Sequence, residues 1–146
     1  MTAARLRILV AVDGSDASLR VCGTLVRLLP PGAEIRLLVV LSFELAPLTL
    51  LGEPLADTPE RRRLAHEEVE RIAGEPRRLL QEAGCSVSVT HRFGNPADEI
   101  LQDAEEWQPD LLALGRRGLA GPARWLLGST SERVVRHAHA PVLVIS

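Results

Sequence analysis

Short apolar runs alternate with amphipathic stretches along this chain, and that alternation limits its possible folds more than any other feature. The runs are Leu6–Val12, Ile35–Leu41, Ser86–Arg92, Leu111–Leu114 and Val142–Ile145. Four of them are nearly continuous valine, leucine and isoleucine, as strands covered on both faces must be. Ser86–Arg92 alternates instead, with Val87, Val89 and His91 on one side, which predicts an edge strand.

Four helical stretches fill the gaps. The first starts near Ser15 and puts Ala17, Val21, Leu25 and Leu28 on one face. The second runs from about Pro59 to Ala83 and lines up Ala65, Val69, Ile72, Pro76, Leu79 and Ala83. Gly74 and Pro76 lie inside it, and an interior proline costs about 3 kcal/mol, so a kink or break is expected there. The third opens with Asn95-Pro96, a cap followed by proline at the first helical position, and buries Ala97, Ile100, Leu101 and Ala104. The fourth begins at Ser129-Thr130-Ser131-Glu132, a capping-box match, and buries Val134, Val135 and Ala138.

The order β-α-β-α-β-α-β-α-β, with right-handed crossovers, predicts an α/β fold. It is a single doubly wound, mostly parallel five-stranded sheet with helices on both faces, Rossmann-like, in strand order 3-2-1-4-5. The 146 residues suit one such domain, spanning 1–146. One connection stands out: Ser42–Thr58 is long, holds Pro47, Gly52 and Pro54, and is rich in leucine, which marks it as functional or mobile.

Composition then removes function classes. With 17 basic against 19 acidic side chains the net charge is −2, and the chain as a whole offers no positive field to a nucleic-acid backbone. All 17 basic residues are arginine. Without lysine there is no Walker-type phosphate loop, no Schiff base and no kinase strand lysine. Cys22 and Cys85 stand far apart and read as apolar residues of a reducing compartment. Asp13 breaks the first apolar run with no cleavage site after it, and no uncharged apolar stretch reaches the roughly 18 residues of a membrane span. The expectation is a cytoplasmic protein with neither nucleic acid nor membrane as partner.

In open α/β sheets the ligand crevice lies at the carboxyl ends of the strands, where strand order reverses. Two loops should meet there: Asp13-Gly14-Ser15 leaving the first strand, and Gly115 to Gly128 leaving the fourth. The second reads Gly115-Arg116-Arg117-Gly118-Leu119-Ala120-Gly121-Pro122 and ends Gly128-Ser129-Thr130 at a helix start. Glycines permit close backbone approach and positive φ, and free amides at a helix N-terminus form an anion site. From Gly115 to Ser146 five arginines (116, 117, 124, 133, 136) face one acid, Glu132, so +4 in a chain otherwise at −6. Alone, each glycine is more often punctuation, and Asp13 more often a turn acid or cap. Together, at the expected crevice, they favour a phosphate-bearing ligand.

Gly115-x-x-Gly118, nine residues, then Gly128-Ser129 resembles the nucleotide motif of the universal stress protein family. Ile8-Leu9-Val10-Ala11-Val12-Asp13-Gly14-Ser15 is similar to that family's first strand and turn, and Gly128–Val135 with Ala140–Ile145 to its last helix and strand. For the ATP-binding branch the resemblance implies that Asp13 hydrogen-bonds the ribose and that backbone at Val40 meets the adenine edge. It implies that amides of Gly115, Gly118, Gly128 and Ser129, with hydroxyls of Ser129 and Thr130, hold the phosphates. Arg117 becomes a charge partner, and Mg2+ bridges phosphate oxygens. The chain departs from the family in reading Leu38-Val39-Val40 where a histidine often precedes the matching valine, and in the apolar character of Ser42–Thr58.

Other features stay plain. His137 and His139 lack a third ligand at metal spacing and should sit at the fourth helix's end. His66 and His91 are isolated. Arg61-Arg62-Arg63 lies among Glu60, Glu67, Glu68 and Glu70, the pattern of an ion-paired solvated face. Trp107 reads as packing and Trp125 as a loop anchor. The last strand, Val142–Ile145, should form an uncharged sheet edge that pairs with a second copy as an antiparallel, two-fold homodimer, as the family resemblance also implies.

Three functions compete. The first is an ATP-binding regulatory module acting as a homodimer in stress response. The second, a slow ATPase or autophosphorylating enzyme, lacks an evident general base, a lysine and paired carboxylates for a metal. The third, a nucleotide-free interaction scaffold, gives the glycine pattern no purpose.

Overall fold

The computed structural model describes residues 4–41, 49–50, 53–54, 58–116 and 127–146. Strands β1 (Arg7–Val12), β2 (Glu34–Leu41), β5 (Ser86–Phe93), β6 (Leu111–Gly115) and β7 (Val142–Ile145) form one five-stranded parallel sheet. Their spatial order is β5-β2-β1-β6-β7, which is 3-2-1-4-5 counted among themselves. The alternating strand lies at one edge and the C-terminal strand at the other. Two short strands, β3 (Thr49–Leu50) and β4 (Glu53–Pro54), pair antiparallel within the apolar connection. Residues 42–48, 51–52 and 55–57 of that connection lie outside the described residues.

Strand side chains alternate between two cores. On one face Ile8, Val10, Val12, Ile35, Leu37 and Val39 meet α1 (Asp16–Leu28) and α2 (Pro59–Glu82) through Val21, Leu25, Val69, Ile72 and Leu80. On the other face Leu9, Leu38, Leu112 and Leu114 meet α3 (Pro96–Trp107) and α4 (Ser129–His137) through Ala97, Ile100 and Val134. Each fully buried aliphatic side chain contributes about 2 kcal/mol.

The helices start where the caps predict, with one exception. Ser15 Oγ accepts from Ser18 N–H at the head of α1, and Asn95 Oδ1 accepts from Ala97 and Asp98 N–H at the head of α3, where Pro96 is the first helical residue. The N-cap of α4 is Gly128, not Ser129, and no side chain caps it. The hydroxyl the capping box would have engaged is that of Ser129, which is instead the first helical residue; Ser131 turns back to the Arg116 and Gly128 carbonyls.

Three packing expectations change as well. The second helix runs unbroken from Pro59 to Glu82 through Gly74 and Pro76. Pro76 is buried beside Ile72, Ala73 and Leu80, and ion pairs Arg77–Glu70 and Arg78–Glu82 tie the turns around it. That packing outweighs one missing backbone hydrogen bond. Leu28 and Val135 are exposed rather than buried, because each stands at the rim of its helix's apolar stripe. Conversely Asp103 faces the apolar side of α3 fully buried, where Arg36 of β2 and Arg92 of β5 reach it at 3.0 and 3.3 Å. Trp107 packs as expected, under the guanidinium groups of Arg7 and Arg36.

Candidate functional site

The sheet opens between β1 and β6. Their last register pair is Val10↔Ala113, although β1 continues to Val12 and β6 to Gly115. Past that pair the carboxyl ends separate over a hollow of about 310 Å³. Its lining brings together Asp13, Val40, Gly115, Gly128, Ser129 and Thr130, six of the residues singled out from sequence. Leu38, Pro96 and Ile100 supply apolar wall, and Ser18 and Ser131 join the polar rim. Arg117 and Gly118 lie outside the described residues, as do Gly121, Pro122, Arg124 and Trp125.

Strand alternation fixes which backbone groups face this hollow, because a residue's N–H and C=O point to the same neighbour and the next residue's point to the other. Glu34 N–H donates to Leu6 C=O on the β1 side, and Leu41 C=O accepts from Gly94 N–H on the β5 side. Val40 therefore faces β1. The ladder there ends at Val12↔Val39, and Gly14, whose amide would come next, has turned away with φ +85°. The Val40 carbonyl is left looking into the crevice. By the same alternation, Leu112 and Arg116 donate to Pro141 and Ile145 on the β7 side, so the Gly115 amide points toward β1 beyond the last pair.

The opposite wall is the head of α4. A helix leaves its first amides without intrahelical partners, and a glycine cap cannot cover them. Ser129 and Thr130 therefore present N–H groups and hydroxyls at the positive end of the helix dipole. Gly128 differs from the expectation that its amide meets a ligand: its N–H donates to Arg116 C=O at 2.9 Å. Its φ of −64° also shows that the residue needs no left-handed backbone. The positive φ belongs to Gly14, where a Cβ would approach Ile72 Cγ1 to 3.4 Å.

Asp13 is held by its own turn. Its Oδ1 accepts from Ser15 N–H at 2.9 Å, from Ser18 Oγ at 2.8 Å and from the Ser15 hydroxyl. The positive charge of the C-terminal segment is partly paired within the fold. Arg133 pairs with Asp98 at 2.6 Å and Arg136 with Glu132 at 2.9 Å, so part of the C-terminal positive excess is neutralised locally. The free amides at the head of α4 are then the positive feature of the crevice that local ion pairing leaves in place.

The family model for universal stress proteins matches residues 5–146. The chain belongs to the universal stress protein family. It is 36% identical over 146 residues to a universal stress protein of Thermus aquaticus, covering 94% of this chain and 96% of the relative. It is 32% identical over 141 residues to universal stress protein MJ0531 of Methanocaldococcus jannaschii, covering 95% and 81%. The solved structure of MJ0577 from the same organism superimposes with a TM-score of 0.75 at 22% identity, covering 98% of this chain and 96% of that one. A universal stress protein in complex with cAMP gives 0.65 at 23% identity, covering 98% of both chains. An Arabidopsis thaliana family protein with AMP bound also gives 0.65 at 23%, covering 96% of this chain and 90% of its own. These likenesses establish the shared universal stress protein fold.

Two polar residues of this universal stress protein's crevice escaped sequence reading. Ser18 and Ser131 look like ordinary helical serines, and only their spacing from Asp13 and from the glycine loop hinted at a role. A second hollow of about 360 Å³ lies at the other end of the sheet, beside Glu105, Asp110, His137 and His139. Among the described residues no three His, Cys, Asp or Glu side chains group to hold a metal. Nor is any helix there long and apolar enough to cross a membrane.

Proposed function

We propose that this universal stress protein binds an adenine nucleotide, ATP foremost, in the crevice between β1 and β6, and acts as a homodimeric regulatory module in which occupancy is the signal. The observation that carries the reading is the convergence of Asp13, the Val40 carbonyl and the bare α4 terminus on one hollow at the switch point of the sheet. Its volume of about 310 Å³ falls at the lower end of small-ligand pockets. Structural neighbours carrying AMP and cAMP support adenine as the base.

The adenine amino group donates to Val40 C=O, with Leu38, Pro96 and Ile100 against the ring. Asp13 accepts from the ribose. The phosphates extend to the amides of Ser129 and Thr130 and their hydroxyls, with Gly115, Gly118 and Arg117 completing the cradle. A Mg2+ held through phosphate oxygens would offset phosphate charge there. Pairing of β7 edges joins two copies.

Purification without added nucleotide, denaturation and identification of what elutes tests the reading. Bound ATP that disappears in Asp13→Ala and Gly118→Val supports it. Protein that neither retains nor takes up adenine nucleotide overturns it, and ADP accumulating with protein and time reassigns the chain as an enzyme. Val144→Pro should convert dimer to monomer in solution-mass measurements; an unchanged dimer removes β7 as the interface.

A further inference from the structure

Asp13 meets the crevice with one oxygen already engaged. Three donors converge on Oδ1, as described above, and no described residue donates to Oδ2. Ser18 does more than donate: its Oγ also accepts from the Asp13 N–H at 3.0 Å. One hydroxyl thus fastens both the backbone and the carboxylate of the same residue. Ser18 is 5% exposed and Ser15 9%, so water competes poorly for either contact. Ser15 caps α1 and Ser18 lies in its first turn, and the helix is anchored in the core by Val21, Cys22 and Leu25.

A free carboxylate can recognise two neighbouring hydroxyls by giving one oxygen to each. At Asp13 that option is closed. We propose that Ser18 is a positioning residue that fixes Asp13 for one-oxygen recognition of a ribose, so the site reads one of the two ring hydroxyls and is nearly indifferent to the other. This rests on the adenine-nucleotide reading and deepens it by naming the sugar specificity. Oδ1 already accepts from three donors, which leaves Oδ2 as the oxygen open to a further one.

The test is calorimetric binding of ATP, 2′-deoxy-ATP and 3′-deoxy-ATP to the full-length protein and to Ser18→Ala and Ser18→Thr. In the unaltered protein one deoxy analogue should bind roughly 10- to 100-fold more weakly than ATP, the loss of one hydrogen bond to a charged acceptor, and the other within about 3-fold. Ser18→Ala, which leaves only the Ser15 amide and hydroxyl on Oδ1, should reduce that asymmetry several-fold, and Ser18→Thr, which keeps a hydroxyl, should restore it. A serine that only stabilised α1 would shift all three nucleotides together. Equal losses for both analogues, or no loss for either, overturn one-oxygen recognition without needing any variant to fold. Asymmetry undiminished in Ser18→Ala overturns the role of Ser18. Absence of ATP binding in the unaltered protein instead defeats the nucleotide reading itself, and this inference with it.

Discussion

Arg36 on β2 donates to the carboxylate of Asp103 on α3 at 3.0 Å across 67 residues of sequence. Asp103 is wholly buried, and Arg92 of β5 meets the same oxygen from the neighbouring strand. Removing one member of a buried ion cluster strands the others, at a typical cost of about 3 to 5 kcal/mol. Here the arginines are partly exposed, so the expected loss for Asp103→Ala is about 3 kcal/mol, read as a lower urea midpoint with unchanged slope. Arg63→Ala, on an exposed pair of α2, should leave the midpoint nearly unmoved.

Ser131 pins the glycine loop's two ends. Its hydroxyl lies 2.7 Å from Arg116 C=O and 3.1 Å from Gly128 C=O, and the residue is 2% exposed. Ser131→Ala should cost about 1 to 2 kcal/mol of stability and weaken ATP binding several-fold, while Ser131→Thr preserves both. Parallel denaturation and calorimetry would check this; an unchanged ATP affinity in the alanine variant refutes the pin's part in the site.

The Val40 carbonyl can only accept. It rewards a base with an exocyclic amine at the matching position and opposes one with an oxygen there. ATP should therefore bind at least about 10-fold more tightly than GTP, and an analogue lacking the amine should also lose affinity. Competition against a fluorescent adenine nucleotide would measure the ratio. Equal affinity for ATP and GTP excludes Val40 as the base reader.

Stability should depend on pH in one direction. Hydrogen bonds from Arg71, Arg77, Arg78 and Arg92 hold the carboxyls of Glu68, Glu70, Glu75 and Glu106 below the ordinary value of 4.5. In the window beneath 4.5 the unfolded chain binds more protons than the folded one, so acid favours unfolding. The contribution is complete above about pH 5, declines as the pH drops past the unfolded value and vanishes below the folded ones. The four carboxyl side chains are a third or more exposed, so added salt should shrink the effect. Denaturation midpoints from pH 7 to 3, at low and high salt, provide the comparison.

The sheet order and the crevice were legible because continuous Val-Leu-Ile runs leave few alternatives to buried parallel strands, and because two glycine-bearing turns must then share one end of the sheet. Asp13, Gly115 and Gly128 could be located on those grounds alone. The details followed competitions that local pattern does not register. Ser-Thr-Ser-Glu matched a capping box, yet the helix takes Gly128 as its cap, one residue earlier, where the Gly128 amide bonds the distant Arg116 carbonyl. Asp103 sat at an apolar helical position because its partners came from two strands, neither adjacent in sequence to α3. Pro76 signalled a break that burial prevented.

The bond from Gly128 N–H to Arg116 C=O, 2.9 Å long, closes the neck of the excursion through residues 117–127. That bond is backbone to backbone, so the end of β6 and the start of α4 keep their mutual position through a contact that no side-chain substitution at either residue, short of proline, removes.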